Sequence, residues 1–447
     1  MNELSENVAV KIYKDADGYS FPLIVRSGVF PACLYLNAYL NGNHNSPLSA
    51  RKNKASAPAP APAPAPAFHT LKKYAYELKF LYCYFIEQGI DLVERVSSGE
   101  FLSRKEVDDF VRSCKLYANE GTIDESNIVA ISDKRIRDAI HATSHSQPQV
   151  SAHTLRQRLI RLRAYIEYLF VCHHYDQEPT NTQARVDDQF NKFKLYINTF
   201  IGGTRKNNTI VKDAFESVIP SDKFFYLLEI IKESSPENPF KSSKLRNQLI
   251  MQILINTGVR VGAVLKLKVS DLIDDWDNPR FLLTRTPNDP TDPRLERPSN
   301  KTKALSVSIS SELMKLIKLY IQTVRAENTT AREHDFVFIS EKGTTSGQPL
   351  TYKSIHKIVD KFGEALDIKL HPHKLRHKWN EVFEDKAREH GLTPEKIEDL
   401  RKYAMGWVED SKMASVYNEY QLAVTVADIS ARTQSKTVPR LGGGHES

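Results

Sequence analysis

Cysteine is scarce in this chain of 447 residues: Cys33, Cys83, Cys114 and Cys172 are scattered, with no paired spacing. That excludes a disulfide framework and argues against a cysteine-held zinc cluster. The thiols read as reduced, small apolar side chains in a cytoplasmic protein. Long apolar runs are missing as well. No stretch approaches the roughly 18 residues that a membrane span needs, and Met1 is not followed by the basic run and apolar core of a secretory leader. Acidic residues are in slight deficit, 55 against 62 basic ones, for a formal charge of +7 and a pI near 8.9. This excess tilts the partner list mildly toward nucleic acid, and without an apolar span no membrane partner is expected. Hydrophobic residues at 40% and charged residues at 26% can support real cores, and the length favours two or three domains.

The clearest punctuation is the strict Ala-Pro alternation from Ala57 to Ala67. Proline fixes φ and lacks a donor, so the run forms neither helix nor sheet and acts as an extended spacer. With the basic stretch before it, this makes residues 49–67 a linker and sets residues 1–48 apart as a small segment of unassigned role. Within that segment, Val8–Ile12 and Phe21–Val25 pattern as strands around an Asp-Ala-Asp-Gly turn. Residues 68–204 read as a four-helix bundle. Leu71, Tyr74, Leu78, Leu81 and Phe85 recur at helical spacing, Ser103 caps a second helix, and Gly202-Gly203 ends the last. A polar connector (205–215) leads to residues 216–447, where helices surround short strands at 281–284 and 304–309. Between those strands lies a loop with Pro287, Pro290, Pro293 and Pro298. A Gly-rich tail follows.

One bundle helix carries Leu155, Leu159, Leu162, Ile166 and Leu169 on one stripe and Arg156, Arg158, Arg161 and Arg163 on its other faces. A solvated basic face and a DNA-facing one are both consistent with that pattern. Lys244, Arg246 and Lys374 are further candidates for phosphate contacts.

Four stretches in the C-terminal half carry candidate chemistry. Arg260 stands in Asn256-Thr257-Gly258-Val259-Arg260-Val261-Gly262-Ala263, at a turn between apolar segments. Alone, such a guanidinium is more often a core-edge ion pair than a catalytic group. Lys301 and Lys303 flank Thr302 in a turn leading into a strand, where a lysine is usually just exposed. His373, Arg376 and His377 share one face of a helix in His371-Pro372-His373-Lys374-Leu375-Arg376-His377. A guanidinium fork matches two phosphate oxygens, and an imidazole exchanges protons near neutral pH. A zinc pair from His373 and His377 lacks the glutamate and other ligands that such sites use. Gly406-Trp407 is followed by Met413-Ala414-Ser415-Val416-Tyr417 and Tyr420, two of 19 tyrosines, most of which serve packing.

In this order, the arginine after a helix, the lysine turn, the HxLRH segment, the Gly-Trp and the tyrosine resemble the tyrosine recombinase family, which includes phage integrases and Cre-like enzymes. The catalytic resemblance covers residues 216–420; the helical bundle is similar to the family's core-binding domain only in size, order and pattern. The resemblance implies a mainly α fold with a small antiparallel β-sheet: a helical core-binding bundle and an α+β catalytic domain. It implies cutting and rejoining of DNA through a 3′-phosphotyrosyl intermediate, with no cofactor, metal or ATP. Arg260 and Arg376 would bind the phosphate, His373 would act as acid/base, Trp407 would donate a hydrogen bond and Tyr417 would be the nucleophile. The catalytic lysine is Lys301 or Lys303. Implied partners are a double-stranded recombination site, a tetramer on DNA built in part by the segment Leu422–Ile429, and accessory DNA-bending or partner recombinase proteins. Three departures stand out: Ala263 replaces the family's usual acidic residue, Trp407 and Tyr417 are one residue further apart than usual, with Tyr420 as an alternative nucleophile, and the proline loop is long. A non-cutting DNA-binding protein, a DNA-relaxing enzyme of topoisomerase type and a telomere resolvase are alternatives that the same residues allow.

Overall fold

The computed structural model describes residues 7–16, 18–27, 31–42, 66–116, 150–175, 181–204, 218–286, 289–300, 302–407, 426, 429 and 430. Most of the Ala-Pro run, the 205–215 connector, Lys301, Tyr417, Tyr420 and the tail lie outside them. The chain is mainly helical with small antiparallel sheets and divides into two compact units, Met1–Ile210 and Val211–Ser447. No described helix is long and apolar enough to cross a membrane.

The first unit opens with an antiparallel hairpin, β1 (Val8–Lys14) and β2 (Ser20–Arg26), followed by α1 (Leu34–Gly42). These elements are not a separate module. Ile24, Leu36, Tyr39 and Leu40 are buried in one cluster with Leu78, Leu81 and Phe85 of α2 (Phe68–Glu87) and Leu162 and Ile166 of α5 (Ala152–His174). The Asn37 side chain fixes α1 on β2 by accepting from the Ile24 amide (2.8 Å) and donating to the Ile24 carbonyl (2.9 Å). Between α2 and α5 lie α3 (Leu92–Ser97), capped by Asp91, and α4 (Arg104–Lys115). The Ser103 side chain and Glu106 form a reciprocal capping box at the start of α4. The last helix, α6 (Asn181–Gly203), runs through both glycines that the sequence reading took as its stop. A buried apolar face, with Phe190, Phe193, Ile197 and Ile201, carries it past residues of low helix propensity.

The arginine-rich helix α5 corrects part of the DNA-contact expectation. Arg161 is buried. Its Nε pairs with Glu77 at 3.0 Å, its Nη1 donates to the Tyr39 hydroxyl at 2.9 Å, and its guanidinium lies 3.3 Å from the centre of the Tyr74 ring. It joins α5 to α1 and α2 and is not available to a phosphate. Arg158 is spent on the Cys114 carbonyl in the last turn of α4 and the Leu116 carbonyl just beyond it, and stacks on Phe80. Arg163 donates to Asn198 on α6. Arg156 is the exposed member of the set.

In the second unit, α7 (Ser221–Ile230) and α8 (Lys244–Thr257) contribute heavily to one apolar core. Leu249, Ile250, Met251, Ile253 and Leu254 are all buried, as are Asn247 and Gln248, so α8 is enclosed around most of its circumference, as a central helix is. Gly258, at φ +61°, caps α8 in the left-handed region and α9 (Val261–Lys266) begins at once. Strands β3 (Leu272–Ile273), β4 (Arg280–Leu283) and β5 (Leu305–Ser308) form an antiparallel sheet with Phe281 opposite Val307. Then follow α10 (Ser311–Tyr320), a π turn at Ile321–Arg325, α11 (Tyr352–Ala365), α12 (Pro372–Glu389) and α13 (Pro394–Met405). Arg246, also expected on DNA, is half-buried. It donates to the Ile339 carbonyl and faces Glu341 at 3.8 Å, which makes it a brace of this unit.

Because Arg161 is desolvated, truncating its partner leaves an uncompensated charge. Glu77→Ala should lower stability by about 3–5 kcal/mol in urea unfolding, whereas Arg156→Ala should change it by less than about 0.5 kcal/mol.

Candidate active site

The site is assembled by helix ends and by glycines that let backbones meet. Arg260 occupies the N-cap position of α9, with extended backbone (φ −75°, ψ 149°), two residues after the glycine that ends α8. Across from it, α12 starts at Pro372, and the His371 side chain caps it by accepting from the Lys374 amide. Proline at the first helical position costs no hydrogen bond, so the sequence His-Pro fixes where this helix begins. That start places His373, Arg376 and His377 within the first turns.

Arg376 is buried, 3% exposed, and its Nη1 donates to the Gly258 carbonyl. Trp379, one turn on, covers Gly258 so closely that a Cβ there would sit 2.7 Å from the indole. Its Nε1 donates to the Asn256 carbonyl at 3.0 Å. The end of α8 and the start of α12 are thus locked together on either side of the arginines.

Trp407 is reached through α13. Glu384 on α12 accepts from Arg401 on α13 and from Arg388; Glu384 and Arg401 are both buried. This pair holds α13 against α12, and Gly406 (φ +60°) ends α13 in the left-handed region. Trp407 then packs with Met405 and Trp379, its ring 5.9 Å from the Arg376 guanidinium carbon.

The lysine turn meets the same point. The Lys303 amide donates to the Gly406 carbonyl at 3.0 Å, and a Cβ on Gly406 would lie 2.7 Å from Leu305. Two residues before Lys301, the Ser299 carbonyl rests on Gly262 and accepts from the Tyr352 hydroxyl of α11 at 3.3 Å. Lys303 is exposed. Ser299 is therefore held by the residues just after Arg260, and Lys303 by the residue just before Trp407.

Electrostatically the cluster is dominated by positive charge. His373 is exposed and makes a 4.5 Å edge contact with His377, while His371 stacks on it at 6.4 Å. The packed protein around the His373 ring, with His371, Arg376 and Arg260, holds its pKa below the ordinary histidine range. Burial, His373, His371 and Arg376 push His377 down to about 4. His371 is lowered by burial and by Lys374 among its neighbours. At neutral pH the imidazoles are neutral, able to accept a proton, and the arginines supply the charge. This arrangement suits an anion with two accessible oxygens.

Of the residues that the sequence singled out for chemistry, Arg260, Lys303, His373, Arg376 and Trp407 belong to this connected region. Lys301 and Tyr417 lie outside the described residues. Lys374 and Lys244 are partly exposed at the starts of α12 and α8. Sequence reasoning did not assign roles to Gly258, Gly262, Gly406, Trp379 or His371. The glycines were visible within the motifs, but only the contacts show why they cannot carry a side chain.

Residues 220–421 match the model of the Phage integrase family. Among curated proteins, transposase A from transposon Tn554 of Staphylococcus aureus is 33% identical over 132 residues, which are 30% of this chain and 34% of that protein. A tyrosine recombinase of Agathobacter rectalis is 23% identical over 226 residues, 50% of this chain and 60% of the relative. The chain thus spans about a third to three fifths of these relatives. Among solved structures, XerH site-specific recombinase bound to difH substrate matches at a TM-score of 0.42 with 14% identity, over 80% of this chain and 79% of that one. A lambda integrase dimer (residues 75–356) bound to a COC′ core site matches at 0.40 with 13% identity, over 85% and 95%.

The depressed imidazoles make stability depend on pH in a fixed direction. A histidine whose folded pKa lies below its unfolded value binds more protons when unfolded, so its contribution is complete above about pH 6.5 and is lost toward pH 4. Thermal melts should show this acid limb. His377→Asn should flatten it by on the order of 1–2 kcal/mol after solvent screening, and inorganic phosphate should flatten it for the wild type; a limb unchanged by either contradicts the cluster.

Proposed function

We propose that this chain, a member of the phage integrase (tyrosine recombinase) family through residues 220–421, cuts and rejoins DNA strands at specific sites through a covalent 3′-phosphotyrosyl intermediate. The observation that carries the reading is the convergence of Arg260, Arg376 and His373 with Trp407 and the lysine turn, from segments that span nearly 150 positions of sequence.

The chemistry follows from what a phosphodiester needs. It is an anion that must accept a second negative oxygen in a crowded transition state. Preorganised cations on its non-bridging oxygens lower that barrier, each typically by about 3–4 kcal/mol. Arg260 and Arg376 fill this role, and Trp407 adds an indole N–H. Tyrosine loses its proton near pH 10 in water, so Tyr417 needs a base as it attacks. His373, held neutral by partial burial and then by His371, Arg376 and Arg260, accepts that proton. Lys301 or Lys303 supplies a proton to the departing 5′ oxygen. The phosphotyrosyl bond conserves the energy of the broken linkage, so rejoining requires neither ATP nor a ligase.

Ala263 does not argue against cutting. It is 1% exposed within the apolar core cluster, where a carboxylate would be desolvated, and Arg376 has the Gly258 carbonyl as an acceptor. The first unit is read as the half that adds non-specific grip on the duplex, through exposed cations such as Arg156, with Lys244 and Lys374 contributing from the second unit. Assembly of four copies on two duplexes, and accessory DNA-bending or partner recombinase proteins, belong to the same proposal.

The test uses a nicked duplex built from the sequence that the protein selects out of a randomised DNA pool. The wild type should accumulate a covalent adduct in EDTA without nucleotide, and Tyr417→Phe should form none. Arg376→Ala should form it on the order of 10²–10³ times more slowly. An undiminished adduct in Tyr417→Phe overturns the assignment. For the grip on DNA, Arg156→Glu should weaken binding to all sequences and reduce the salt slope by about one; an unchanged slope removes Arg156 from the interface.

A further inference from the structure

The long loop between β4 and β5 is not a slack insertion. Its described residues, 284–286 and 289–300, are tied down by a set of buried and partly buried charges. Arg294 is 7% exposed and Asp292 1% exposed, and they form a two-pronged pair, Nε and Nη2 each 2.8 Å from a carboxylate oxygen. Arg294 has donors left over. Its Nη2 also reaches the Leu265 carbonyl in α9 at 3.0 Å, and its Nη1 reaches the Leu350 carbonyl just before α11. Lys266 donates to the carbonyl and hydroxyl of Thr286, and Lys268 pairs with Asp289 at 2.7 Å.

Buried ion pairs contribute little net stability compared with apolar packing, but they fix geometry, because each donor must meet its acceptor. Here the geometry is informative. The segments that Arg294 joins, the loop itself, α9 and the chain entering α11, meet again five residues later. There the Ser299 carbonyl seats on Gly262 of α9 and accepts from Tyr352 of α11. Beyond it the Asn300 carboxamide oxygen closes the turn, accepting from the Thr302 amide at 3.2 Å and from its hydroxyl. Arg297, Pro298 and Asn300 are buried, so little slack separates Arg294 from the turn that carries Lys301 and Lys303.

We propose that the Asp292–Arg294 pair, with Lys268–Asp289 and Lys266–Thr286, positions the lysine turn so that its ammonium reaches the departing 5′ oxygen of the cleaved strand. This rests on the function proposed above. In the step concerned, the tyrosine oxygen bonds to phosphorus, the P–O5′ bond breaks and the lysine ammonium gives its proton to O5′. These residues do not touch the phosphate; they act through the lysine.

That role has a signature which general destabilisation lacks. A 5′-bridging phosphorothiolate replaces O5′ by sulfur, which leaves as a thiolate without taking a proton. Removing both partners of the pair together, Asp292→Leu with Arg294→Met, avoids stranding a buried charge. This variant should cleave an ordinary duplex on the order of 10- to 100-fold more slowly than wild type. It should cleave the phosphorothiolate duplex within about threefold of wild type. Asp289→Asn, a milder change, should show the same split in smaller degree and decides the matter alone if the double variant does not fold. Equal slowing on both substrates, or slowing on neither, overturns the proposal. Failure of the wild type to form any adduct overturns the parent reading instead, so the two failures are distinguishable.

Discussion

Everything at this site depends on backbones approaching more closely than any side chain would permit. Gly258 lies under the Trp379 indole, Gly262 under the Ser299 carbonyl and Gly406 against the residues around Thr302 and Leu305. Two of these glycines also have positive φ, +61° at Gly258 and +60° at Gly406, which end α8 and α13 where those helices must stop. Each contact joins two segments distant in sequence. Together they make the relative positions of Arg260, the lysine turn, Arg376 and Trp407 a property of the packed core, and those positions do not hang on flexible loops. A preorganised field requires this, because donors that must be gathered during the reaction forfeit most of their advantage.

The cost of the arrangement is electrostatic. Two guanidiniums and three imidazoles crowd one end of α12, and the fold meets the repulsion by keeping the imidazoles neutral and by giving Arg376 a backbone carbonyl. On the function proposed above, a phosphate arriving here would meet this positive charge. Elsewhere in the same unit, buried cations do meet carboxylates: Arg401 with Glu384, and Arg294 with Asp292. Pairing is thus used for bracing.

Much of this was legible in the sequence, for identifiable reasons. Helical periodicity found α2, α4, α5 and the helices of the second unit to within a few residues, because their apolar stripes are long. The ordered motifs singled out Arg260, His373, Arg376 and Trp407, which the fold brings into one region. What the sequence could not supply was partner information. Arg161 looks like its exposed neighbour Arg156 on a helical wheel; only Glu77, 84 positions away, and Tyr39 reveal that it is buried. Arg158 and Arg246 were misread for the same reason, since their acceptors are backbone carbonyls in other elements. The two-residue strand β3 is too short to leave a pattern. The proline stretch reads only as a long loop because prolines mask periodicity, whereas the order of its described residues comes from charges at positions with no periodic spacing. The N-terminal hairpin was recognised as strands, but its place in the first unit's core depends on Ile24 and Leu36, which carry no signal of their own.

The account stands on a phenol completing a cluster of arginines, imidazole and ammonium around one phosphate. The most direct measurement is tandem mass spectrometry of the protease-digested covalent complex with the nicked duplex. The predicted product is the peptide bearing Tyr417, linked through its phenolic oxygen to a 3′ phosphate of the cut strand. Attachment at Tyr420 or any other residue, or to a 5′ phosphate, would contradict it.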